Sequence, residues 1–124
     1  MSEKMTSIED LIRKVKSRPD IHRAGMILCH NGIVRASDRS GSKQVRTLRV
    51  SPDRDKLKEI AAWGESQTGI IAVLIEAAEG ELQIGDDLLY VVVAGDLREH
   101  VFETMRGVVD RVKADGVAKT ETYA

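Results

Sequence analysis

The sequence predicts a single α+β domain, with about three helices and a mixed, mainly antiparallel sheet. Three observations carry that expectation. Stretches of helical periodicity and short apolar runs of strand length both occur, but they do not alternate regularly, as a doubly wound parallel sheet would require. Residues 70–75 and 88–94 are apolar throughout, the pattern of strands buried on both faces. The chain has 124 residues, 42% hydrophobic and 31% charged, which suits one core and excludes a disordered chain. One domain over residues 1–124 follows, with an N-terminal helix and linker over 1–23 and a short C-terminal tail over 117–124.

The elements read in order as follows. Thr6 and Ser7 precede Ile8, Leu11, Ile12 and Val15 at helical spacing, with Glu9 and Asp10 in the first turn, where the helix dipole favours acids. Pro19 closes that segment. Residues 24–29 form a short apolar run stopped by His30-Asn31-Gly32, and so a strand. Residues 36–42 are rich in Ser, Gly, Arg and Asp without a period, as in a mobile loop. A strand with one charged face is expected over 43–50. Ser51-Pro52 then reads as a helix start, Ser as N-cap and Pro at the first helical position. Leu57, Ile60, Ala61 and Gly64 share one face of that helix, and Gly69 stops it. Turns are marked at Glu79-Gly80 and Gly85-Asp86. Asp96 is placed to cap a third helix carrying Leu97, Val101, Met105, Val108 and Val112 on one side, with Asp115-Gly116 at its end. Residues 117–124 are either a last strand or a frayed tail.

Charge and cysteine content narrow the function classes. A net charge of −1 is not that of a chain built for nucleic acid or an anionic membrane. The lone cysteine, Cys29, has no partner for an internal disulfide, which suits a reducing compartment. No apolar run approaches the ~20 residues a membrane helix needs, and residues 1–10 do not resemble a signal peptide. The cytoplasm is the expected location. The charge is unevenly spread, however. Residues 35–58 hold eight basic side chains against three acidic ones, whereas residues 76–103 hold eight acidic ones and only Arg98 as a base. A solvated face is the commoner meaning of such a run; the functional meaning is that the basic segment meets an anionic ligand.

The motifs of common chemistries are missing. There is no glycine-rich phosphate loop and no metal signature, so neither a metal nor a cofactor is expected. Cys29 and His30 are neighbours on a strand and point to opposite faces; a buried structural thiol is the expected role of Cys29. His22 and His100 read as surface residues, and Trp63 as packing on a helix edge. Three cations stand out by position. Arg35 opens the loop after a strand, Arg98 sits in the first turn of a helix against the dipole, and Lys119 follows the small apolar stretch Gly116-Val117-Ala118.

A resemblance gives these positions a meaning. The segment Gly80-Glu81-Leu82-Gln83-Ile84-Gly85-Asp86 and the apolar strand after it resemble the G-x-L-x-x-G-[DE] segment of the molybdopterin synthase large (catalytic) subunit family. Gly32-Ile33-Val34-Arg35 is similar to that family's G-x-V-R. Arg98 followed by Val101-Phe102-Glu103 resembles its H-R-x-x-A-F helix, and Val109-Asp110-Arg111-Val112-Lys113 resembles the run before its catalytic tail. Order and spacing agree from about Ala24 to Lys119.

The resemblance implies an α/β hammerhead-type fold and a homodimer. It implies a ubiquitin-like sulfur-carrier small subunit as partner, whose Gly-Gly tail arrives as a thiocarboxylate. It implies an anionic pterin phosphate, cyclic pyranopterin monophosphate, as the sulfur acceptor. Arg35, Arg98, Arg39 and Lys43 are then the expected substrate-binding cations, and Lys119 the catalytic lysine. There are departures. Leu97 stands where the family has the histidine of H-R, and Ala77-Ala78 where an earlier H-R is expected. Gly116-Val117-Ala118 replaces a proline and aromatics, the loop after Arg35 is short, and the 124 residues offer no counterpart of the second tail lysine. These departures set a second reading, a dimeric binding or regulatory module without the chemistry. A third reading, an anion- or nucleic-acid-binding domain on the 35–58 face, is opposed by 3% aromatics, too few for a base-stacking platform.

Overall fold

The structure, a computed structural model, describes residues 5–123. Three α-helices and six strands follow the order α1 (Ile8–Lys16), β1 (Met26–Ile33), β2 (Val45–Pro52), α2 (Arg54–Glu65), β3 (Ile70–Ala77), β4 (Gly80–Gln83), β5 (Asp87–Gly95), α3 (Arg98–Arg111) and β6 (Val117–Tyr123). The α+β class is as expected. The strands form two three-stranded sheets rather than one, ordered β1-β5-β3 and β4-β2-β6, and every pairing in them is antiparallel.

The first sheet explains the continuous apolar runs. Strand β5 lies between β1 and β3 and is covered on both faces, so its residues from Leu88 to Gly95 are buried. On one face Tyr90, Val92 and Ala94, with Ile71 and Ala72 of β3, pack under Leu11 and Val15 of α1. On the other, Val73, Val91 and Val93 meet Ile60 of α2 and Val101 and Val108 of α3. Side chains alternate across a strand, so each face needs its own apolar set, and β5 supplies both. Helix α1 starts as its sequence predicts: Ser7 caps it, its Oγ accepting from Asp10 N at 3.2 Å. The segment before it is tied to β3 by Thr6, whose backbone N and hydroxyl both donate to the Glu76 carboxylate.

Several boundaries move, each for a physical reason. Strand β1 does not stop at Cys29; it runs through His30, Asn31 and Gly32 because β5 continues opposite, pairing them with Val91, Tyr90 and Leu89. Ser51 and Pro52 do not start a helix. They end β2, where Pro52 pairs with Val117 and the missing N–H of proline does little harm. Asp53 is the true N-cap of α2, its carboxylate accepting from Lys56 N at 3.1 Å. Asp53→Ala is expected to lower stability by about 1 kcal/mol, measured by urea unfolding beside Ser51→Ala, which should cost far less. Asp96 lies one residue outside the cap position of α3, which Leu97 occupies. The Asp96 carboxylate accepts from Leu97 N at 2.6 Å and pairs with His100 Nδ1 at 2.7 Å.

Other residues resolve as follows. Residues 117–123 are a strand paired with β2, not a frayed tail; Ala124 lies outside the described residues. The loop at 36–42 is organised by Asp38, whose carboxylate accepts from Ser40 Oγ and from the backbone N of Ser42 and Lys43. Cys29 is exposed rather than buried, on β1, an edge strand of its sheet. Its thiol is nonetheless pushed up by partial burial, which leaves it a poor nucleophile. Trp63 packs on a helix edge as predicted, under the Arg111 guanidinium at 3.4 Å and against Gly107, where a Cβ would have no room.

Candidate functional site

The two sheets leave between them a groove of about 1170 Å³. Its walls come from both. Strand β1 gives His30, Gly32 and Ile33; the loop after it gives Val34, Arg35, Ser37 and Arg39; β2 gives Val45 and Leu48; β5 gives Leu88 and Leu89. The far wall is the end of α3, with Val112 and Lys113, and β6, with Val117, Lys119, Thr120, Glu121 and Tyr123.

Strand alternation aims the groups on β6. Lys119 lies opposite Val50 and Glu121 opposite Leu48. Directly paired residues share a sheet face, so Lys119 and Glu121 point to the side on which β2 buries its apolar residues. Lys113 arrives by a different device. Helix α3 ends in a wide π turn, Val112–Gly116, which swings the chain back into β6. Gly116 permits this, because a Cβ there would come within 2.7 Å of Leu57 Cδ2 on α2.

Four cations, Arg35, Arg39, Lys113 and Lys119, thus line one groove against a single carboxylate, Glu121. Although Lys119 is exposed as a whole residue, its ammonium is partly desolvated, and this is the main cause of its lowered pKa. Lys113 lowers it further, as do Arg39 and Arg35 more weakly, while Glu121 partly offsets them. His30 is likewise held below the ordinary imidazole value, first by burial and then by Lys113. Such a site favours an anion with several oxygens, since a doubly or triply charged ligand relieves the mutual repulsion of the cations.

Of the residues singled out in the sequence, the fold brings Arg35, Arg39 and Lys119 together. Lys43 lies at the margin, its ammonium 4.9 Å from the centre of the Tyr123 ring that lines the groove. Arg98 is not part of the groove within one chain. It opens α3, whereas the groove touches that helix at its other end, about 20 Å away at 1.5 Å per residue. Its guanidinium contacts Glu99 at 3.4 Å. Glu121 and Tyr123 carry no expectation in the sequence, while Lys113 enters there only as part of the run before the tail and His30 only as the neighbour of Cys29. The period-two series Lys119, Glu121, Tyr123 was the available signal, once residues 117–123 are read as a strand. Lys113 thus stands in the groove as a second lysine beside Lys119.

Comparison with known proteins then places the chain. The family model described as MoaE protein matches residues 1–115. This chain belongs to the MoaE protein family. A curated relative, the probable molybdopterin synthase of Haloferax volcanii, is 27% identical over 125 residues, which cover 97% of this chain and 48% of that protein. The chain therefore spans about half the length of that relative. Among solved structures, molybdopterin synthase from Staphylococcus aureus superposes with a TM-score of 0.77 at 18% identity, covering 98% of this chain and 88% of that one. The molybdopterin cofactor biosynthesis protein E of Burkholderia multivorans gives 0.76 at 23% identity, covering 98% and 86%. A complex of subunits 1 and 2 of the molybdopterin-converting factor of Helicobacter pylori gives 0.69 at 17%, covering 96% and 84%. At these identities the structures establish a shared MoaE fold. Lys119, Glu121 and Tyr123 lie beyond the stretch that the family model matches, so their place in the groove rests on the pairing of β6 with β2.

Proposed function

We propose that this MoaE-family chain acts in molybdenum cofactor biosynthesis as the large subunit of a molybdopterin synthase, transferring sulfur from a thiocarboxylated ubiquitin-like carrier to cyclic pyranopterin monophosphate. The observation that carries the reading is the pairing of Lys113 and Lys119 in a groove also lined by Arg35 and Arg39. The arginines hold the phosphate and Lys43 attracts it at the margin. Lys119, with its proton loosened by desolvation and by Lys113, serves the proton transfers and steadies the charge that develops on sulfur. The carrier small subunit docks so that its thin Gly-Gly tail enters the open groove. A homodimer is part of the reading: Arg98 reaches a groove only if that groove belongs to a second protomer, and the exposed Leu97 and Phe102 beside it offer apolar area for such a contact. A single exposed thiol suits the reducing cytoplasm, where we place the protein.

The alternative, a chemically silent docking module, draws on several departures, Leu97 among them; the two lysines that meet in the groove favour the enzyme instead. The test is reconstitution of the chain with a thiocarboxylated carrier and cyclic pyranopterin monophosphate, with molybdopterin as the readout. Product is expected. Carrier binding without product would favour the docking module instead.

A further inference from the structure

His30 has no task in the scheme above, yet it stands in the groove. It lies on β1 opposite Val91, on the sheet face that looks toward β6. Gly32 follows two residues later on the same face, and a Cβ there would lie 3.3 Å from His30 Nε2. Glycine therefore leaves the ring room to lie along the strand. The other two histidines are engaged: His22 Nδ1 with the Pro19 carbonyl at 3.2 Å, and His100 Nδ1 with Asp96 at 2.7 Å. The His30 imidazole has no hydrogen-bond partner among the described residues, and neither of its nitrogens is sealed from the groove.

The charged and titratable groups around it are few. Lys113 faces it from the end of α3, Lys119, Glu121 and Tyr123 from β6, and Arg35 and Arg39 from the loop. Its paired strand, β5, presents only apolar side chains there, Leu89 and Val91. The two lysines and two arginines bind anions in their protonated forms, and a protonated cation accepts no proton. Glu121 accepts from the Tyr123 hydroxyl at 3.1 Å and balances Lys119. Burial and the nearby Lys113 hold His30 neutral at pH 7, with a lone pair available.

We infer that His30 is a general base of this groove, taking a proton from the water that splits the acyl–sulfur bond of the carrier. The inference rests on the sulfur-transfer reading above. Once the thiocarboxylate sulfur has bonded to the acceptor, carrier and acceptor are joined as a thioester. Water adds its oxygen to the acyl carbon and one water proton passes to the imidazole. The acyl carbon–sulfur bond breaks, and its electron pair leaves on sulfur as a thiolate beside the lysine ammonium groups. The carrier departs with an ordinary C-terminal carboxyl group, and the imidazolium returns its proton to solvent.

The test uses the reconstituted synthase with the thiocarboxylated carrier, comparing wild type with His30→Phe, which keeps a ring without a base, and His30→Gln, which keeps polarity without a base. In the wild type, kcat should fall on the acid side through a limb that matches the titration of the His30 ring followed by NMR. Both variants should lose about 100-fold in kcat and lose the acid limb, with KM for the carrier unchanged. Identical pH profiles in wild type and variants overturn the inference and leave the sulfur-transfer reading standing. A loss of rate with the limb intact also overturns it, and makes His30 a packing residue. No product from the wild type removes the reading itself, and the step assigned to His30 falls with it.

Discussion

Replacing Lys119 with alanine should lower kcat/KM for molybdopterin formation by about 100- to 10,000-fold, the range spanned by positioned proton-transfer groups. The variant should fold normally. Lys119 leans over the groove rather than into the core, and its lowered pKa means that folding works against its proton. The unfolded chain binds that proton more tightly, so this group opposes folding at neutral pH; the opposition starts to fade as pH rises past its folded-state value and is gone above the ordinary lysine value. Lys119→Met should therefore melt no lower than the wild type while losing the activity, a combination a structural lysine would not give. Lys119→Arg should not restore the rate, since a guanidinium keeps its charge and does not release a proton in the working range. The coupling to Lys113 can be read separately. Lys113→Met removes a repulsive neighbour, so the alkaline limb set by Lys119 should move to higher pH. An unmoved limb would mean that Lys113 and Lys119 do not act as a pair.

Gly25→Ala should destabilise the fold by about 1–3 kcal/mol or more, the scale of overpacking. That corresponds to roughly 4 °C of melting temperature per kcal/mol in a chain of this size. A Cβ at Gly25 would come within 2.2 Å of the Asp96 carbonyl oxygen. That oxygen has little freedom to retreat. Asp96 N donates to the Gly69 carbonyl at 2.9 Å, and Gly25 N to the Gly95 carbonyl at 2.8 Å. The start of β1 and the end of β5 are thus laced together where any side chain would intrude. Gly41→Ala is the control. Its φ of +76° carries the usual penalty for a side chain, but nothing lies within 4 Å of the added carbon. It should cost about 1–2 kcal/mol, the left-handed penalty alone. Equal melting temperatures for the two variants would show that the β1–β5 approach is looser than described.

Much of the fold was legible beforehand because it depends on short-range chemistry. The Ser7 cap of α1 and the double burial of β3 and β5 follow from propensity and alternation alone. The misplaced boundaries have one cause in common. Ser51-Pro52 is a sound helix start by local rules, and Asp53 is as good a cap two residues on; the choice fell to Asp53 because β6 returns to pair with Pro52. His30-Asn31-Gly32 looks like a strand stop until β5 supplies partners for all three.

The site divides in the same way. By itself the sequence determined the α+β class, the family resemblance, and the basic character of the segment that carries Arg35, Arg39 and Lys43, since these depend on residue type and near-neighbour spacing. Only the tertiary structure decided which cations meet. It joined Lys113 to Lys119 across a π turn and placed His30 and Glu121 in the same groove, while leaving Arg98 at the far end of α3. Those relations span β1, the loop after it, the end of α3 and β6. They are fixed by the antiparallel pairing of β2 with β6 and by the packing of two sheets around one core, contacts between residues far apart in the chain that no local pattern records.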